Sequence, residues 1–216
     1  MLSRIQRVLA RAYDLHVLPD VEQFVCGEEL LRATAGEGAA HRGEVLLVLQ
    51  DEEGISVGLY LDPTVLARLA EGDPDFGSLC LATEGVSHFV YLSFRADNDE
   101  QVTQLELELQ AEVDKYATGI FDATFDAHSL AGNGVGAVRA RSRALRERLF
   151  HGVRFLDPPE SVEGERYRVA HRAAARYAAT LESRFVDRGR LDDLWTELRR
   201  FYRMGGRQKL ERARKL

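Results

Sequence analysis

Cysteine is nearly absent from this sequence. The 216 residues hold only Cys26 and Cys80, with no CxxC spacing. Two isolated thiols make no disulfide framework, so they read as small core residues of a protein kept in a reducing cytoplasm. Long apolar runs are missing too. The most apolar stretches, VLLVL and HFVYLSF, fall far short of the roughly 20 residues that a membrane span needs. The opening segment, MLSRIQRVLARAYD, is interrupted by Arg4, Arg7 and Arg11, which excludes a secretory apolar region. Leu2, Ile5, Val8, Leu9 and Ala12 recur there at helical spacing instead, predicting an amphipathic helix.

Lysine is the third scarcity. Of 29 basic residues only Lys115, Lys209 and Lys215 are lysines. Alanine is abundant as well, and a GC-rich coding bias produces both, so arginine richness alone says little about phosphate. The lysine gap does decide one question. The stretch AGNGVGAVRARSRALRERLF places Gly132, Gly134 and Gly136 ahead of a helix, but a Walker loop needs a lysine and a hydroxyl directly after its glycines. The spacing GxGxG also departs from the dinucleotide pattern. Backbone amides at this helix start, helped by Arg139 or Arg141, keep a capacity for a small anion.

The periodicity favours a packing role. Val138, Ser142, Leu145 and Leu149 form a narrow stripe flanked by Arg139, Arg143 and Arg146 on one side and by Arg141 and Arg148 on the other. Residues 98–119 carry a matching stripe of Val102, Leu105, Leu109, Val113 and Tyr116, flanked by Glu106 and, on the other side, Glu108 and Glu112. An antiparallel helical hairpin is expected, its glutamate flanks facing the arginine flanks.

Few motifs carry chemistry. Gly85-x-Ser87 lacks the second glycine of a nucleophile elbow, because Phe89 stands there. In FDATFDAHS, Asp122, Asp126 and His128 lie close in sequence and are the candidate catalytic residues, suited to an ion or to base-and-orienter work. No HExxH or ExxH spacing accompanies them, and a loop with capping aspartates is the competing account. His88 is expected as a hydrogen-bonded core residue of a strand. No spacing defines a metal site or a cofactor.

Charge is unevenly placed. Residues 1–134 hold 24 Asp and Glu against 8 Lys and Arg, and residues 135–216 hold 11 against 21, so the two parts carry −16 and +10. Arg168, Arg172 and Arg176 follow one another at i, i+4 and i+8, and Arg199, Arg200 and Arg203 sit among Trp195, Phe201 and Tyr202. These six arginines are the candidate surface for an acidic protein or for nucleic acid, with aromatics available to stack on bases. Alternatively the two parts of the chain neutralise each other.

The expected fold is α+β. A β-hairpin spans about 44–61 around the turn Asp51–Gly54, its first strand apolar on both faces, and a third strand covers 87–95, giving a small antiparallel sheet. Helices accompany it, and an all-helical C-terminal part follows. Residues 1–96 and 97–216 are expected to pack together as one unit. The functional expectation is a non-enzymatic cytoplasmic interaction or regulatory protein acting through its basic helical surface. The alternatives are an enzyme with a metal- or anion-assisted site near the 122–136 loop, and a structural protein that self-associates through surplus helical stripes.

Overall fold

The computed structural model describes residues 1–216 except 17, 37, 51, 53, 73, 122–133 and 216. The protein is α+β, mostly helical, with one small sheet. In chain order the long elements are α1 (Leu2–Tyr13), β1 (Val25–Cys26), α2 (Glu28–Ala35), β2 (Glu44–Gln50), β3 (Ile55–Leu61), α3 (Pro63–Glu71) and α4 (Phe76–Asp97). There follow α5 (Gln104–Phe121), α6 (Val135–Phe150), α7 (Val162–Leu181), α8 (Leu191–Tyr202) and α9 (Gly206–Lys215). No helix among the described residues is long and apolar enough to cross a membrane.

The hairpin forms where turn chemistry and β-branched residues place it. β2 and β3 pair antiparallel from Glu44↔Leu61 to Gln50↔Ile55. β1 joins the other edge of β3 in parallel, with Val25 opposite Leu59, so the sheet is mixed, in the order β1-β3-β2. Side chains alternate across it. Leu59 and Leu61 enter the main core against α4, whereas Tyr60 and Leu47 pack under α2 with Leu31. Only the first half of β2 is covered on both sides; Val48 and Leu49 are exposed.

The third strand expected over 87–95 does not exist: these residues form the second half of α4. The reason is burial. Val86, Phe89, Val90 and Tyr91 are all buried, and a helix enclosed on every side lacks the polar stripe that reveals its period. The helix starts at its cap Asp75, whose carboxylate accepts from the Ser78 amide, rather than at the Asp73–Pro74 pair. Asp62, with Pro63 behind it, caps α3 as the sequence suggests.

α5 runs through the middle of the molecule, buried over most of its length. It packs on α6 as the stripes require. The Tyr116 and Ser142 hydroxyls meet at 2.7 Å, and a Cβ on Gly119 would lie 2.7 Å from Leu145, so glycine permits the close approach. Among the described residues, Arg139, Arg143 and Arg146 do not pair with Glu106, Glu108 or Glu112 across this contact. Arg146 binds Glu182, Arg143 lies 3.5 Å from Asp187, and Arg139 donates to the Val186 and Asp187 carbonyls. All three address the π-turn Glu182–Val186 and the residue after it, at the end of α7. The flanks of α5 face other helices because α4, α7 and α9 surround it. One hydrophobic cluster joins Leu9, Phe89, Leu109, Leu145, Tyr177 and Phe201, taking members from both the −16 and the +10 parts of the chain.

Candidate functional site

A histidine–carboxylate cluster is assembled by helical spacing. Glu84 and His88 stand one turn apart on α4; Glu108 and Glu112 stand one turn apart on α5, on its α7 side. Glu44 joins them from the inward face of β2. A Cβ on Gly85 would come within 3.0 Å of the Glu44 side chain and 2.8 Å of Leu59, so this glycine lets the strand lie against α4. His171 and Tyr167 approach from α7. Glu44, Glu84, Glu108, Glu112, Tyr167 and His171 line a cavity of about 200 Å³ together with residues 153–157, which form one wall; His88 does not line it.

Glu44 Oε1 lies 3.4 Å from Nδ1 of His88, and Glu108 Oε2 lies 3.8 Å from its Nε2. Nε2 is buried and has no hydrogen-bond partner among the described residues. One ligand atom each from Glu84, His88 and Glu108 falls within 4.8 Å of the others. Lys115 bridges two carboxylates, at 2.7 Å to Glu84 and 2.8 Å to Glu112. His171 Nδ1 stands 3.0 Å from Glu112, its ring held edge-on to Phe155. At the wall, Arg42 reaches Asp157 at 3.4 Å and the Tyr167 hydroxyl at 3.3 Å. Arg168 braces that wall from α7, donating to the Asp157 and Gly164 carbonyls and lying over the Phe155 ring.

Burial and charge act against each other here. Burial alone would drive the proton off His88, but Glu44 beside Nδ1, with Glu108 and Glu84 nearby, raises its pKa to about 9. Burial raises Glu108 to about 7, reinforced by Glu84 and Glu44 and opposed by His88. Burial would raise Glu112 too, but Lys115 and His171 outweigh it and hold its carboxyl down at about 2. The Lys115 ammonium, although buried, is kept charged well above its usual range by Glu112 and Glu84.

An imidazole nitrogen with two carboxylates, backed by a carboxylate on the other ring nitrogen, is a donor set for a divalent transition metal. Metal–ligand distances of about 2.0–2.2 Å would draw the three donors roughly 1 Å closer together, within reach of side-chain rotation. The sequence held one signal for this site, the i, i+4 spacing of Glu84 and His88, which is lost once the segment is read as a strand.

The other expected residues are placed differently. Asp122, Asp126 and His128 lie outside the described residues. Gly134 is the N-cap of α6 and supplies no side chain. Arg172, Arg176 and Arg200 are exposed and make no ion pair among the described residues. Arg199 donates to the Ala12 carbonyl, and Arg203 to those of Arg199 and Asp14. The aromatics read as stacking partners for bases are packed inward: Phe201 and Tyr202 are buried and Trp195 stacks on Phe121 at 3.6 Å.

Comparison with protein-family models, with curated proteins and with solved structures gives no significant match. The class is therefore defined by the fold and the cleft alone: a helical α+β protein with a histidine–carboxylate cluster beneath a small polar cavity.

Proposed function

We propose that the cleft is an enzymatic site, built to hold one divalent metal ion on Glu84, His88 and Glu108. The observation that carries this reading is Nε2 of His88, buried without a hydrogen-bond partner among the described residues and 3.8 Å from Glu108 while Glu44 engages Nδ1. A nitrogen in that position needs either a proton or a cation. A bound ion would supply Lewis acidity to a small polar molecule in the cavity. Glu44 fixes the ring, Lys115 keeps Glu112 charged, and Arg42 with Tyr167 offers donors at the wall. A cavity of about 200 Å³ restricts the substrate to a small molecule. Free Cys26 and Cys80 support a reducing compartment such as the cytoplasm.

Calorimetric titration of the dialysed full chain with Zn²⁺ and with Mn²⁺ tests the reading. One saturable site is expected, weakened roughly tenfold or more in Glu84→Gln and Glu108→Gln, and by a similar factor in Glu44→Gln. Wild-type protein that binds neither ion, with both ring nitrogens of His88 protonated by NMR, would show the cluster to be an ion-pair network instead.

A second reading concerns a polyanionic partner. Arg172, Arg176 and Arg200 are exposed and make no ion pair among the described residues, which favours binding through α7 and α8. Binding to single-stranded nucleic acid should fall steeply with salt, and the triple variant Arg168→Glu, Arg172→Glu, Arg176→Glu should abolish it. Unchanged binding after that reversal sinks this reading.

A further inference from the structure

A cavity of about 650 Å³ lies away from the histidine–carboxylate cluster, between α1, α5, α6 and α8. Arg11, Arg141 and Arg199 line it, together with Trp195 and Phe121. Arg141 is the unusual member. It is 2% exposed, and its Nε and Nη1 atoms are buried with no hydrogen-bond partner among the described residues. Asp192 also lines the cavity, but no ion pair joins it to Arg141. The neighbouring arginines of α6 are engaged: Arg139 binds the Val186 and Asp187 carbonyls, and Arg146 binds Glu182. A guanidinium stays charged at any ordinary pH, and Arg141 has no counter-charge among the described residues, an arrangement that is strongly disfavoured for a buried charge. A fold that keeps this one buried therefore has a use for it.

We infer that the cavity binds a small organic anion, its phosphate or carboxylate group on Arg141 and its apolar body against Trp195. A guanidinium matches either group through paired N–H donors. Arg11 and Arg199 add positive charge to the same lining. The volume falls within the range of small-ligand sites, mostly apolar with a few placed polar groups. The inference is independent of the metal reading, since the two sites share no residue.

Inorganic phosphate, phenyl phosphate and benzoate, each titrated into the full chain at low salt, test it by calorimetry and by thermal melting. Phenyl phosphate or benzoate is expected to bind at one site and raise the melting temperature. Arg141→Gln should weaken that binding roughly tenfold or more, and Trp195→Ala should weaken phenyl phosphate but not inorganic phosphate. Tight phenyl phosphate with weak benzoate identifies a phosphate ligand, and the reverse a carboxylate. Without any anion, Arg141→Gln should melt at or above the wild-type temperature, because it removes an unpaired buried charge. Should that variant fail to fold, Arg199→Gln is expected to show the weakened binding. The inference is overturned if no probe binds, or if binding survives in both variants. Glu84→Gln should leave anion binding intact.

Discussion

Two of the three lysines in this arginine-rich chain are buried, and they serve two unlike polar clusters on opposite sides of α5. Lys115 lies at the cleft, clamped between Glu84 and Glu112 and held charged. Lys209, fully buried, donates to the neutral Gln110 amide at 2.6 Å with its Nζ 3.8 Å from the centre of the Tyr91 ring, and burial lowers its pKa well below the usual range. Around Lys209 most polar groups are paired, although the Tyr202 hydroxyl is buried without a hydrogen-bond partner among the described residues. Asp114 accepts from Tyr13, from Ser87 at 2.6 Å and from Gln110 at 2.7 Å; Tyr202 stacks on Tyr13. In the cleft cluster Glu84, Glu108 and Glu112 line a cavity, and His88 Nε2, buried next to Glu108, has no hydrogen-bond partner among the described residues. Saturated polar burial fixes a packing arrangement, whereas unsaturated polar burial beside open space marks a place for a ligand. Arginine suits the two places differently, because its larger guanidinium always carries a charge, which burial disfavours where Lys209 sits.

The largest expected effect separates the two carboxylates. Asp114→Leu strands the donors of Tyr13, Ser87 and Gln110 in the core and should cost about 3–5 kcal/mol in urea unfolding. Glu108→Leu removes a carboxylate that burial already disfavours, so stability should change by no more than about 1 kcal/mol while metal binding is lost. Equal losses from both would erase the distinction between the clusters.

Exchanging the cation is the next test. Lys209→Arg forces a permanent charge and a larger head into a site whose burial already disfavours the charged ammonium, with an expected loss of about 3 kcal/mol. Lys115→Arg retains a charge that two carboxylates already satisfy, and about 1 kcal/mol or less is expected. Denaturation midpoints of the two variants decide it. A tolerated arginine at 209 would mean that an ammonium is accommodated there.

What the sequence revealed follows from what its periodicity can carry. α1, α3 and the hairpin over Glu44–Leu61 were legible because each keeps one polar face or a strong turn and cap signal. The flanks of α5 were legible as flanks: Glu106 lies on one side of the apolar stripe, Glu108 and Glu112 on the other. Their partners were not, since a pattern on one helix states which residues leave its core face and not which neighbour receives them. Glu106 meets Tyr91 and the cleft pair meets His88 and His171, while α6 directs its arginines to the π-turn. The candidate site stayed hidden for a related reason. Glu84 and His88 share a face only if residues 84–88 are helical, and burial of α4 on all sides removes the signal for that.

The smallest expected effect distinguishes the clusters by pH. Burial raises the Asp114 carboxyl to about 6, although Ser87, Tyr13, Gln110 and Lys209 all favour its charged form. Its folded pKa lies above the unfolded value of about 3.8, so its contribution to stability is full below that value and is lost as pH rises through about 6. Glu112 has the opposite sign. Its pKa of about 2 lies below the unfolded value, so its contribution is full above about 4.5 and is lost as pH falls toward 2. Wild-type protein should therefore be more stable near pH 5 than at pH 7, by an amount of the order of 1 kcal/mol from Asp114. Asp114→Asn keeps an acceptor for Tyr13 but nothing to titrate, so it should reduce the slope between pH 4 and 6 (roughly the span of the shift) and leave the acid limb unchanged. The slope that remains in that span is the part contributed by Glu108, whose carboxyl is raised to about 7. Glu112→Gln should flatten only the acid limb. Unfolding curves recorded across that range give both slopes; a single variant that flattens both limbs would show the two clusters titrating as one.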